Sequence, residues 1–130
     1  MKHVSKLIVR SYECDAYSHV NNAVYLNYLE FARMEFLKDN SFDYKRFVDF
    51  GYAIVIVRVV IDYKLSAVLD DELTIETEPV KRRAVSGMFH QRILKGDALV
   101  AQADVTWAIL NGDGKLSPIP EEFDISALNP

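Results

Sequence analysis

Residues 15 to 25 read DAYSHVNNAVY and set a carboxylate, an imidazole and two adjacent amides directly before an apolar run of helical spacing. The first amide groups of a helix have no partner within it and carry partial positive charge. Asp15, six or seven residues before that helix, can loop back toward its electropositive end, where negative charge is stabilised. It would then act as a base or a nucleophile. The same N–H groups can receive a carbonyl oxygen as it gains charge, so one helix end supplies both an oxyanion site and a neighbouring carboxylate. That is a minimal kit for acyl transfer. Read only as structure, the stretch is a turn at Asp15, a local bond at His19 and a helix cap at Asn21 or Asn22. The pattern alone favours that plainer reading.

Few other residues compete for a chemical role. Cys14 is the only cysteine, which excludes an internal disulfide, a CxxC pair and a multi-cysteine zinc site, and suits a reducing compartment. As a nucleophile it would need a histidine held against it. Alternation along an extended chain instead points Cys14 and Asp15 to opposite sides. His3, His19 and His90 have no metal-ligand spacing, so no metal is expected. There is no GxSxG elbow, no phosphate-binding P-loop and no GxGxxG, and nothing calls for a cofactor. Fifteen Lys and Arg against nineteen Asp and Glu give a net charge of -4, which lacks the basic footprint of a nucleic-acid binder. The N-terminus has no secretory pattern, and the apolar runs are far short of a membrane span. A cytoplasmic protein is expected.

The elements that must position the candidate site follow from periodicity. With 130 residues, half of them apolar, the chain is expected to form a single domain over 1–130. LIVRSY at 7 to 12 reads as a strand and ECDAYSH as the loop after it. From Asn21 to Lys38, Tyr25, Tyr28, Leu29, Ala32 and Phe36 recur at helical spacing, and Leu26, Met34 and Leu37 extend the apolar surface further round. A helix so coated needs to be wrapped, and a curved sheet would do it. Residues 43 to 52 read as a helical turn ended by Gly51, and 53 to 65 as a long buried strand. ELTIETE at 72 to 78 alternates as a strand with one wet face. The segments 84 to 94 and 98 to 110 flank Gly96-Asp97, a two-residue hairpin signal. In the last strand Leu99, Ala101, Ala103, Val105, Trp107 and Ile109 line one face. Pro118 and Pro120 close the regular structure, leaving a short helix or a loose tail. The order is that of an α+β fold, one antiparallel sheet of about five strands on one long helix.

Residues 9 to 33, VRSYECDAYSHVNNAVYLNYLEFAR, resemble the signature of the hot-dog-fold acyl-CoA thioesterases of the 4-hydroxybenzoyl-CoA thioesterase family. The likeness is greatest to the long-chain acyl-CoA thioesterase branch, with Asp, then His-Val-Asn-Asn, then Tyr and a Glu-x-Ala-Arg ending. It continues through DYKLSAVLDDELTIET and, weakly, PIPEEF, and so spans nearly the whole chain. The resemblance implies a hot-dog fold, a long central helix wrapped by a curved antiparallel sheet. It implies paired subunits, a homodimer or homotetramer with the site at the subunit interface. It makes Asp15 the catalytic carboxylate, acting on the thioester carbonyl directly or through water. The backbone N–H of Asn22 takes the place of the oxyanion donor, His19 orients the loop or water, and Tyr25 matches an aromatic at the helix start.

A thioester asks little of such a site, because its thiolate leaves without a proton and a carboxylate with an oxyanion donor can suffice. The implied substrate is a medium- or long-chain fatty acyl-CoA, its chain in an apolar slot lined by YAIVIV at 52 to 57, the helix and the partner subunit. Coenzyme A phosphates would favour Lys or Arg at the mouth. Lys81, Arg82 and Arg83 in one turn, and Arg58 and Lys64 on one face of the second strand, are the candidates, and each is otherwise a solvated charge. Arg58, if buried, would need a partner such as Asp62. Glu30 and Arg33 read as a helical pair. Hydration or dehydration of an acyl thioester, non-catalytic acyl-CoA binding or regulation, and assembly alone are the rival functions.

Overall fold

The computed structural model describes residues 2–130. Strand β1 (His3–Ile8) leads through a 3-10 turn at Ser11–Glu13 into helix α1 (Val24–Asp39). Helix α2 (Tyr44–Asp49) and strands β2 (Ala53–Tyr63), β3 (Glu72–Arg82), β4 (Ser86–Lys95) and β5 (Ala98–Leu110) follow. All five strands form one antiparallel sheet in the order β1-β3-β4-β5-β2. This is the one long helix, the short helical turn and the five-stranded sheet expected from the periodicity, in the hot-dog arrangement.

The face of α1 that the spacing assigned to the core is the buried one: Tyr25, Tyr28, Leu29, Ala32 and Phe36 are sealed, and Leu37 joins them. The first four meet Leu73, Ile75, Ile93, Ala101, Ala103 and Val105 from the inner face of the sheet. Towards the other end of the helix, Phe36 and Leu37 pack with Phe42, Phe47, Phe89, Trp107, Ile109 and Phe123. The tail is a pair of 3-10 turns that bury Phe123 and Leu128, so it closes this second cluster and is not a loose end. Apolar burial at roughly 25 cal/mol per Å² makes these two clusters the main source of stability.

Several boundaries move, each for a local reason. Strand β1 begins and ends earlier than 7 to 12, because the Arg10 N–H is taken by Glu13 Oε1 at 2.8 Å and the chain turns there. Helix α1 starts at Val24 rather than Asn21, because Asn21 Oδ1 accepts the Ala23 N–H at 2.9 Å and Asn21 O the Val24 N–H at 2.8 Å. These bonds spend Asn21 on a lead-in turn, and Ala23 stands at the cap. Strand β3 runs on past Glu78 through Pro79, which a bulge between Pro79 and Lys81 accommodates. The Gly96-Asp97 hairpin is as expected, with Gly96 at φ 59. Strand β2 corrects the expectation of a buried strand: it is the free edge of the sheet and exposes Ile56, Val57, Val60 and Tyr63.

Candidate active site

The candidate loop is a small hairpin set before the helix. Cys14 bridges Val20, the Asp15 N–H donates to His19 O at 2.8 Å, and the Asn21 N–H donates to Glu13 O at 3.0 Å. Ala16, Tyr17 and Ser18 make the three-residue tip, with Ser18 at φ 64, the left-handed turn such loops need. The hairpin is fastened to the loop after β2: the Val20 N–H donates to Ala67 O, and His19 bridges Val68. Asp71 holds that second loop by accepting the Val68 N–H at 2.9 Å and pairing with Lys95 at 2.8 Å.

Within this frame Asp15 is exposed, and its carboxylate is oriented by its own loop. Oδ1 accepts the Tyr17 N–H at 2.9 Å and the His19 N–H at 3.2 Å. Among the described residues Oδ2 has no partner, so one carboxylate oxygen is fixed and the other is free to act. His19 meets Asp15 only through its backbone; its imidazole makes no hydrogen bond among the described residues.

The helix start supplies a complementary donor. The N–H groups of Asn21, Ala23 and Val24 are all taken, whereas among the described residues the Asn22 N–H has no hydrogen-bond partner. The carbonyl of the same peptide unit, Asn21 O, is held by Val24, so the trans Asn22 N–H points away from the helix. Tyr63 Oη donates to Asn22 O at 2.9 Å and steadies the next peptide. Tyr63 was not anticipated; nothing in its neighbourhood in sequence signals a contact 41 residues away.

Beneath the loop lies a buried carboxylate that periodicity did not single out. Glu13 takes Arg10 Nη2 at 2.6 Å, Arg10 Nε at 2.9 Å and the Tyr28 hydroxyl at 2.9 Å. Burial alone would raise its pKa, but the bonds from the Arg10 guanidinium, the Arg10 N–H and Tyr28 outweigh it and hold the carboxyl below its ordinary value. Burial, reinforced by Glu13, pushes the Tyr28 hydroxyl up. The Arg10-to-Glu13 spacing is the one sequence signal that would have revealed this cluster. Tyr25 stands at the helix start as expected and is buried there: its hydroxyl accepts the Ala67 N–H at 3.0 Å, and burial raises its pKa.

The basic candidates separate. Arg82 is committed, ion-paired with Asp124 at 3.1 Å and lying over the Trp107 ring at 5.6 Å, which takes it out of the set available to a ligand phosphate. Arg58 and Arg83 are exposed on one side of the sheet, where Lys81, Met88, Thr106 and Arg58 form a cross-strand row and Arg83 lines the adjoining depression. Arg58 does not pair with Asp62. Lys64 is exposed beyond the other end of β2. Arg33 does not pair with Glu30 either; its Nη1 donates to Gln91 Oε1 at 3.1 Å.

Along α1 runs an apolar slot of about 70 Å³, lined by Met34, Leu37, Ile54, Ile56, Phe89 and Trp107 among others. No helix among the described residues is long and apolar enough to cross a membrane.

Residues 9–125 match the profile of the thioesterase-like superfamily. The chain is 37% identical over 109 residues, 82% of each chain, to the long-chain acyl-CoA thioesterase FadM of Escherichia coli. It is 31% identical over 116 residues to the acyl-CoA thioesterase YbgC of Haemophilus influenzae, covering 88% of this chain and 85% of the other. Among solved structures, a probable thioesterase from Bartonella henselae superposes with a TM-score of 0.88 at 27% identity, over 92% of this chain and all of the other. The probable thioesterase YbaW from Escherichia coli superposes with a TM-score of 0.79 at 33% identity, over 92% of each chain. With a fixed carboxylate, an open helix-start amide and these likenesses over nearly its full length, the chain belongs to the thioesterase-like superfamily and is a hot-dog-fold thioester hydrolase.

Proposed function

We propose that the protein hydrolyses medium- or long-chain acyl-CoA to the free acid and coenzyme A, with Asp15 as its catalytic carboxylate and the Asn22 N–H as its oxyanion donor. The observation that carries this reading is the unpaired Asn22 N–H at the helix start that follows the Asp15 hairpin. The thioester carbonyl oxygen accepts that N–H and gains charge as the carbonyl carbon is attacked. If Asp15 Oδ2 attacks, the C–S bond breaks, CoA thiolate departs and water opens the resulting anhydride; if Asp15 is a base, it takes a proton from the attacking water. A single turnover in ¹⁸O-water detects the first route when water opens the anhydride at the Asp15 carboxyl carbon, which leaves ¹⁸O on Asp15 and a protein oxygen in the released acid; the base route puts ¹⁸O in the acid and none on Asp15.

The slot of about 70 Å³ is well below the roughly 300–1,000 Å³ of ligand pockets. A long chain therefore needs the open flank, where Leu26, Met34 and Ile56 are exposed. A second copy of the chain supplies the missing wall, the two meeting along β2. The other edge, β1, is only six residues long, whereas β2 is eleven residues long and presents Ile56, Val57 and Val60 to solvent. A long apolar edge of that kind is otherwise an aggregation hazard. Arg58 and Arg83, exposed on one side of the sheet, are the cations we assign to coenzyme A phosphates, with Lys64 a separate candidate beyond β2. His19 keeps the loop in shape, and the single cysteine fits a cytoplasmic setting.

CoA release from a panel of short, aromatic and long acyl-CoAs tests the reading with wild type and Asp15→Asn. Wild type should turn over the longer chains best, and the variant, still folded and still binding, should lose about 10²–10⁴-fold in rate. Binding of acyl-CoA without any release by wild type would sink the enzyme and leave a binding module.

A further inference from the structure

Asn22 stands in a turn that closes on itself: Asn21 O accepts the Val24 N–H, and Asn21 Oδ1 accepts the Ala23 N–H. Those bonds shape the turn but do not set its direction against the sheet. Apart from the helix it leads into, two hydrogen bonds among the described residues fasten it to the rest of the fold. At its first residue the Asn21 N–H donates to Glu13 O at 3.0 Å. At its second, the Tyr63 hydroxyl donates to Asn22 O at 2.9 Å. Among the described residues, Tyr63 is the one side chain from another element that bonds to this turn.

The sheet explains how Tyr63 reaches it. In β2, Ile61 and Tyr63 lie opposite Ala103 and Ala101, both buried, and so face α1. The Tyr63 ring meets the Tyr25 ring edge to face, with centroids 5.4 Å apart. Tyr25 Oη accepts the Ala67 N–H, and Ala67 O accepts the Val20 N–H at the base of the Asp15 hairpin. Two touching tyrosines thus tie the halves of the site together. One holds the peptide next to the Asn22 N–H, and the other holds the loop on which the Asp15 hairpin rests. An oxyanion donor acts through alignment, because a hydrogen bond weakens steeply as its angle closes. Removing such a donor costs about 10²–10³-fold in kcat, and loosening it costs less. Asn22 is exposed, so without the Tyr63 hydroxyl water can take its carbonyl and the fold loses little. What is lost is the direction of the peptide.

We infer that Tyr63 is a positioning residue for thioester hydrolysis, its hydroxyl holding Asn22 O so that the Asn22 N–H stays aimed at the carbonyl oxygen. This rests on the proposed reading of Asn22 as oxyanion donor and adds the group that sets the donor's direction. The test is Tyr63→Phe, which keeps the ring against Tyr25 and removes only the hydroxyl. It should lower kcat about tenfold, by the same factor for a short and a long acyl-CoA, with KM and Tm close to wild type. A second readout does not depend on turnover: the infrared carbonyl band of a ¹³C-labelled acyl-CoA bound to Asp15→Asn. Adding Tyr63→Phe should broaden that band, since the carbonyl no longer meets one fixed donor. An undiminished kcat in Tyr63→Phe overturns the inference and leaves thioester hydrolysis standing. A loss carried by KM, or confined to long chains, overturns it in favour of Tyr63 as a wall of the acyl site. A loss in kcat with an unchanged carbonyl band also overturns it, because other contacts then set the donor. No CoA release by wild type from any acyl-CoA removes this inference and the hydrolase reading together.

Discussion

At the scale of single residues, the carboxylate with the greatest structural consequence is Glu13, two positions before Asp15. It is nearly inaccessible and joins Arg10, Tyr28 and the backbone of Asn21, so it ties the Asp15 hairpin to the core face of α1. Replacing Glu13 by Gln leaves Arg10 and Tyr28 with weaker acceptors, and a loss of about 2 kcal/mol is expected, seen as a fall of roughly 6 °C in Tm. Because the folded-state pKa of Glu13 lies below its ordinary value of 4.5, its contribution is complete above that pH and is lost as the pH falls through the lower folded value. Thermal melts of wild type across that acid range should therefore approach those of Glu13→Gln, while the two remain well separated at neutral pH. A constant gap at all pH values would show that Glu13 stabilises by packing alone.

Among the elements, the pair β4–β5 shows how one small residue shapes the slot. Gly87 lies opposite Trp107, and a Cβ there would overlap the indole ring, coming 2.6 Å from its Cε2. The indole lines the slot on one side and carries the Arg82 guanidinium. Gly87→Ala should cost about 1–3 kcal/mol through overpacking and push the ring toward the slot. Unchanged tryptophan fluorescence and an unchanged preference among acyl chain lengths would show that the ring has room elsewhere. The elements also show what periodicity can and cannot deliver. The buried stripe of α1 was legible because five apolar residues repeat at helical spacing. The true start of the helix was not, because Asn21 has the chemistry of a cap and spends it on a turn.

For the whole molecule, the single chain leaves an apolar edge at β2 and a slot without its outer wall. Placing a charge on that edge separates structure from assembly. Val60→Lys should keep the far-ultraviolet circular dichroism of wild type, shift the species seen by light scattering toward monomer, and reduce CoA release from long chains more than from short ones. A wild type that is monomeric at working concentration would remove the second subunit from the site.

The sequence by itself determined the fold class, the face of α1 that is buried, the tight turn at Gly96-Asp97 and the loop that carries Asp15. Each depends on neighbours within a few residues, where periodicity and turn chemistry act. Tertiary structure decided the rest. Arg33 and Glu30, read as a helical pair, are drawn apart because Gln91, 58 residues from Arg33, offers a buried acceptor. Arg82 is occupied because the tail returns Asp124 to it, and the Asn22 N–H is left open because Glu13 and Asn21 claim its neighbours. Which donors and charges remain unpaired depends on contacts made across the fold, and local sequence spacing does not encode those.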